Sequence, residues 1–453
     1  MADVSHPNGN GRASLPAALF AELGSVGLKR GGGVVAEEYV RDLTGIRGIR
    51  TYTQMGTDEI LGGVLYANEV LLRQVPWSLL PASDLPAAQD AAGMVEGMLF
   101  DDMSQTFASV LSDALSCQLY GWAFHEMVWK RRLGPTPPPG YDALDPAWAW
   151  WAPSQFDDGL LGLRKLPIRA QETLMAWDFD DTGGVRALIQ QDPWGGTHGP
   201  VRIPMDKALL FRVFTYKGNP EGKSLVRSAY DAWYYKKHIR RIEGIGVERD
   251  LAGLFHARIP VDYMLADAAP EQQAIFEYIK QMGRAIHRDE QECLVTPLVY
   301  DDKGNELFKF ELMTTGGARQ FDTSAIIERY DTRMLQSVLA NVLMIGLRRV
   351  GTQSLAEELS DLYTLGLTTI IDSITDVFNR YCIPRIWQLN ALPRETMPVL
   401  SHGRVMKVDF DKFTTGILRM AQAGVVWTPA DEAYIRLETG FPELMTADTA
   451  EAL

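Results

Sequence analysis

Residues 322–345, DTSAIIERYDTRMLQSVLANVLMI, place apolar side chains at 326, 330, 334, 338 and 342, with 327, 335, 339 and 343 beside them. Recurrence at every fourth residue marks one face of a helix. A stripe of this length needs a flat apolar partner along all of it. A second stretch, 224–249, has helical character over roughly 39 Å at 1.5 Å per residue. The chain must therefore cover two long helices, either with its own segments or with those of neighbouring copies.

The rest of the chain is mixed α+β. Residues 1–50 are Gly-, Asn- and Ser-rich at the start and carry GGG at 31–33, which predicts a flexible N-terminal arm. TDEILGGVLYANEVLLRQV has a stripe at positions 60, 61, 64, 65, 68, 71 and 72, apolar at all but Asn68, and predicts a helix stopped by Pro76. WSLL reads as a short strand. Residues 88–121 read as one long helix or two abutting ones, ended by Gly121. WAFHEMVWK and the runs from 146 to 216 read as strands joined by DDG, DDTGG and PWGGTHGP turns, with LLFRVFTY last. Beyond the helix at 224–249, LFHARIP is a strand, PEQQAIFEYIKQMGRAIHR an amphipathic helix, and CLVTPLVYDDKGNELFKFEL a pair of strands around KGN. Gly346 and Gly351 bracket the basic loop LRRV. Ser354 and Glu357 predict a capping box opening a third long helix to about Arg380. Gly366, Thr368 and Thr369 mark a kink within it, and Pro384 follows its end. Small helices are expected from Asp411 to Gly424, and from Thr428 to before Gly440.

The 453-residue chain carries a net charge of −14, whereas a free-standing DNA-binding domain is usually basic. Three cysteines, Cys117, Cys293 and Cys382, are too few for a disulfide framework and predict a reducing compartment. The opening MADVSHPNGNGRASLP has no apolar core, so no secretory signal is expected. No window approaches the apolar length of a membrane span.

GNPEGKS resembles a phosphate-binding loop, but Gly218 to Gly222 spans one residue too few for G-x-x-x-x-G-K-[ST]. Pro220 also removes an N–H that such a cradle needs. A turn launching a long helix is the simpler reading, and a nucleotide-binding ATPase using this segment is the alternative. The seven histidines are scattered, with no H-x-x-x-H or C-x-x-C, so neither a metal site nor a cofactor is expected. The DD pairs at 101–102, 157–158, 180–181 and 301–302 read as solvated loops or helix surfaces. On helix 224–249, Lys236, Arg240 and Glu243 share a face, which predicts pairing along the helix. Its bases leave open a solvated or inter-subunit face, contact with a phosphate backbone, or a separate nucleic-acid-binding role. Tyr230, Trp233 and Tyr234 read as packing residues.

PEGKSLVRSAYDAWYYKKHIRRIEGIGVERDLAG resembles the central segment of tailed-bacteriophage portal proteins, in the Mu-like branch. YGWAFHEMVWK is similar to a strand of that family, and AGVVWTPADEAYIRLETGFPE to its ending. The similarity runs from about residue 50 to 445. The resemblance implies a portal fold with an α/β wing at 51–222, stem helices at 223–250 and 322–345, and a small α/β clip at 251–321. It further implies a tunnel loop at 346–353, a kinked helix at 354–384, and a wing return with a small helical crown at 385–453.

It also implies a non-enzymatic homo-oligomeric ring, usually of twelve subunits, at one capsid vertex of the virion, assembled in the host cytoplasm. Double-stranded DNA would pass through its channel during packaging and ejection. The terminase packaging motor, a head–tail adaptor and the major capsid protein are the implied partners, with no membrane. Arg348 and Arg349 are expected to line the channel. Lys236, Lys237, Arg240 and Arg241 are expected to face the lumen or to pair between subunits. Twelve copies at −14 would carry about −168, an acidic wall with basic collars that centres DNA without trapping it.

Overall fold

The computed structural model describes residues 24–192, 199–252, 254–265, 267–286, 308–313, 322–340, 353–405, 410–424 and 435. The chain divides into one unit of residues 1–230 with 335–453 and a second of residues 231–334.

In the first unit, helix Glu59–Arg73 begins where Asp58 accepts hydrogen bonds from the N–H groups of Ile60 and Leu61. Its stripe buries Leu61, Val64, Asn68 and Leu72. Asn68 lies in a buried chain of hydrogen bonds, donating to Gln118 at 2.7 Å and accepting from the Tyr363 hydroxyl. Strand Trp77–Leu80 pairs antiparallel with Val399–His402, joining segments far apart in sequence.

The stretch expected as one or two helices is broken further, into Pro86–Glu96, a π-turn at Gly97–Asp101, Phe107–Leu115 and Cys117–Tyr120. Gly121 ends it in the left-handed conformation at φ +91°. The following strand is split into Ala123–Glu126 and Val128–Arg131.

One three-stranded sheet has Ala123–Glu126 between Ala208–Phe211 and Ile168–Arg169. Another is a meander of Leu174–Phe179, Val185–Gln190 and Val201–Pro204. Its DDTGG turn forms because the Asp180 carboxylate accepts from the N–H groups of Thr182, Gly183 and Gly184. Trp122 and Trp177, with ring centroids 5.2 Å apart, anchor the core between these strands. LLFRVFTY forms a strand only as far as Phe211.

The expected arm at 1–50 differs from Arg30 onward. Strands Arg30–Gly31 and Val34–Val35 pair, and Val35, Leu43 and Ile49 are buried. Glu37 pairs with Lys217, Glu38 with Arg227, and Asp42 accepts from the Tyr230 hydroxyl. Asp102 also departs from the solvated reading. It is buried 3.0 Å from the Lys130 ammonium and accepts from Ser154 and the Gln155 N–H. Lys130 completes its shell with the carbonyls of Asp102 and Pro153. Arg132 lies 4.0 Å over the Phe156 ring and pairs with Asp158 at 3.2 Å.

The third long helix runs without interruption from Gln353 to Val377, so Ser354 stands inside its first turn rather than at its cap. Thr368 and Thr369 bond back to the carbonyls of Thr364 and Leu365. The irregularity is the π-turn Phe378–Cys382, after which Ile383–Leu389 carries Pro384 in its first turn. A wider turn there accommodates a residue that has no N–H to give. Asn379 bonds both the N–H and the carbonyl of Leu400, and Arg385 donates to the carbonyls of Met205 and Ala208. Helix Phe410–Gln422 ends before Gly424. The small helix expected from Thr428 lies outside the described residues.

The GNPEGKS segment is a backbone-packed turn. The N–H groups of Asn219, Glu221, Gly222 and Lys223 donate respectively to Tyr216, the Asn219 side chain, Asn219 and Phe214. A Cβ on Gly222 would lie 2.4 Å from the Gly121 carbonyl, and one on Gly121 would lie 2.5 Å from the Glu221 carbonyl. Each glycine is needed for both its positive φ and this close approach. Ser224 donates to the Leu119 carbonyl at 2.6 Å and accepts from the Val226 N–H. The Glu221 carboxyl accepts from Trp177 Nε1, and burial pushes its pKa up to about 7.

In the second unit, Leu254–Arg258 pairs antiparallel with Lys309–Met313, beside helix Pro270–Ile286. Helix Tyr230–Ala252 begins after a 3-10 turn at Leu225–Ala229 in the first unit. Helix Thr323–Ser337 is shorter than the expected 322–345. Its end is closed by Ala340 N–H to the Leu335 carbonyl and Leu339 N–H to the Gln336 carbonyl, with Leu339 at φ +58°. That conformation costs a non-glycine residue about 1–2 kcal/mol.

Three outcomes test this packing. Gly222→Ala is expected to lower unfolding stability by about 2 kcal/mol or more, from backbone collision plus left-handed strain, as read by urea denaturation. Asp102→Ala strands Lys130 in the interior and is expected to cost about 3–5 kcal/mol by the same measurement. For Glu221, burial holds the folded pKa at about 7, above the ordinary 4.5 of a glutamate, so its contribution is complete below pH 4.5 and lost as pH rises through 7. Glu221→Gln is expected to flatten the fall in urea midpoint across that window; an unchanged profile would remove the assignment.

Candidate functional site

Two helices of the second unit form the candidate site. Tyr230–Ala252 and Thr323–Ser337 contact one another through side chains. Lys236 Nζ lies 2.7 Å from Asp331 Oδ1, the Tyr235 and Tyr330 rings stack at 6.2 Å, and Thr323 donates to Glu243. Contact numbers that rise on one helix as they fall on the other make the pair antiparallel. The stripe read from sequence supports the second helix, where Met334 and Leu335 are buried.

The structure separates the four candidate bases of the first helix. Lys236 is 3% exposed and is committed to Asp331. Within the single chain its charge is enclosed by that ion pair. Lys236 and Glu243 each also reach across to the neighbouring helix. Sequence spacing showed a shared face but not the helix opposite it.

Lys237, Arg240 and Arg241 are exposed, and the Lys237 ammonium stands 4.9 Å from the Trp233 ring centroid. Trp233 is buried as expected, whereas Tyr234 is 38% exposed. Arg348 and Arg349 lie outside the described residues.

Two bases were missed. Arg329 and Arg333 are exposed one turn apart, with guanidinium carbons 5.5 and 5.8 Å from the Tyr330 ring centroid. The signal was the i,i+4 spacing in ERYDTR, hidden by reading that helix for its apolar stripe alone. With Lys237, Arg240 and Arg241 they put exposed positive charge on both helices of the pair. Such groups meet phosphates without reading bases.

The turn at 217–224 does not form a phosphate cradle. Its N–H groups at 219 and 221–223 are spent inside the turn, Pro220 has none, and Ser224 is held by Leu119 and Val226. Among the described residues, no cluster of His, Cys, Asp or Glu has an arrangement that holds a metal. No described helix is long and apolar enough to cross a membrane.

The sequence profile of the portal protein of Mu bacteriophage matches residues 49–441. Comparison with curated proteins finds no match. Among solved structures, the "Neck of empty GTA particle computed with C6 symmetry" is similar over 91% of this chain and 96% of that one, at 12% identity and a TM-score of 0.52. The "Virion of native gene transfer agent (GTA) particle" is similar over 92% and 97%, at 13% identity and a TM-score of 0.49. The first likeness concerns the fold, and the profile match spans most of the chain. The chain belongs to the Mu bacteriophage portal protein family, and is a structural, non-enzymatic component of the virion.

Proposed function

We propose that copies of this chain, twelve to a ring, form the portal at one capsid vertex, through which double-stranded DNA is packaged and ejected. The observation that carries the reading is the antiparallel helix pair, locked by the buried Lys236–Asp331 contact and bearing exposed bases. The pair supplies the stems, and the strands and helix between them supply the clip. The clip docks the packaging motor and later the head–tail adaptor, while the wing at 51–222 meets the major capsid protein. The division of the chain at 231 and 334 supports this order of parts. So does the solved neck structure with its sixfold symmetry.

Exposed Ile242 and Tyr235 on the first stem are apolar surface that a neighbouring copy covers. The bases at 237, 240, 241, 329 and 333, with Arg348 and Arg349 in the tunnel loop, serve the channel or the contacts between copies. An overall acidic chain keeps DNA mobile, because every neutralised phosphate adds affinity that must be broken for the duplex to advance.

Negative-stain images and native mass measurement of the purified chain should show rings with a central hole; a monomer throughout would defeat the ring reading. Replacing Arg348 and Arg349 by glutamate should reduce packaged DNA while ring yield stays unchanged. Packaging at the wild-type level would remove these two residues from the channel wall.

A further inference from the structure

The first unit carries an open groove of about 850 Å³, walled by residues 37–39, the turn region 214–228 and residues 337–339. Its aromatic lining is unusually bare: Tyr39 is 85% exposed, Phe214 44% and Tyr216 75%. Leu339, held at φ +58°, stands half-exposed at the lip. Both carboxylates of the wall are already neutralised, Glu37 by Lys217 at 3.3 Å and Glu38 by Arg227 at 2.5 Å. Lys223 is exposed in the groove with no ion-pair partner among the described residues. The surface is therefore largely apolar, and Lys223 is a positive charge unmatched among the described residues. Exposed apolar surface of this kind marks an interaction site.

The complementary surface lies on helix Gln353–Val377. Leu362 and Leu365 are 44% and 63% exposed, and Asp361 beside them is exposed without an ion-pair partner among the described residues. This helix contributes no residue to the groove walls of its own chain among the described residues. A closed ring joins copies head to tail, so each copy must present two different patches, one receiving the other. A groove with spare positive charge and a helix face with two leucines and a spare carboxylate meet that requirement.

We propose that the groove of one copy receives the Asp361–Leu365 face of the next copy, with Lys223 opposite Asp361. This rests on the ring reading above and adds the pair of surfaces that closes the ring.

The test mixes full-length Phe214→Cys protein with full-length Leu365→Cys protein under ring-forming conditions and adds a short bismaleimide. A covalent dimer is expected in the mixture, and not with wild type or either variant alone. Both positions are exposed, so folding is expected to survive. The charge arm uses Lys223→Asp, expected to lose rings, and its combination with Asp361→Lys, expected to regain them. Intact rings in the mixture with no covalent dimer would overturn the assignment while leaving the ring standing. A crosslink confined within single Phe214→Cys/Leu365→Cys chains would place the helix face in its own groove and overturn it as well. Wild type that never assembles would bring down the ring reading, and this inference with it.

Discussion

A lysine buried against an aspartate holds the two long helices in register. Lys236 is nearly fully enclosed, and an ammonium in that setting is tolerable only with its partner in place. Asp331 supplies the partner at 2.7 Å, and the Tyr235–Tyr330 stack and the Thr323–Glu243 hydrogen bond sit on the same alignment. Sliding one helix by a turn would separate the pair and strand both charges. An apolar stripe alone would permit such slippage, because leucines and methionines exchange neighbours at little cost. The polar contact therefore specifies the register, and the register places the exposed bases.

Charge is divided by the same logic. The chain is acidic overall at −14, yet exposed arginines and lysines stand on both members of the helix pair. Several are set beside aromatic rings, as Arg329 and Arg333 are beside Tyr330 and Lys237 beside Trp233. A cation held against a ring keeps its charge and is restricted in its excursions. In the first unit, charges are instead buried in matched groups. Asp102, Lys130 and Arg132 form one, and they link the segments at 102, 130–132 and 154–158 rather than serving chemistry.

Much of the local structure was legible because its causes are local. Asp58 as a cap, the stripe from 61 to 72, the Gly121 stop and the DDTGG turn each depend on side chains within a few residues. The turn at 217–224 was legible to a degree. A missing residue and Pro220 argued against a phosphate loop, while the need for Gly222 came from Gly121, about a hundred residues away. Residues 30–50 were misread because their composition is Gly-rich and polar, while Val35, Leu43 and Ile49 are buried and Glu37 and Glu38 pair with the distant Lys217 and Arg227. Asp102 was misread for a related reason: a DD pair looks solvated until its lysine and arginine arrive from another strand.

The sequence by itself determined the mixed helix-and-strand content, the long helices, the absence of a complete phosphate-loop motif and the resemblance to portal proteins. These rest on periodicity, turn chemistry and the order of segments, which are properties of neighbouring residues. Only the tertiary structure decided which charges are buried and which are exposed. Lys236 and Lys237 are adjacent in sequence and identical in chemistry, yet one is buried against Asp331 and the other stands exposed over Trp233. The difference is about 100° of helical rotation per residue, and its consequence depends on where the second helix lies. A one-dimensional pattern identifies a face, while the element packed against that face determines whether its charge is neutralised inside the protein or offered outside it.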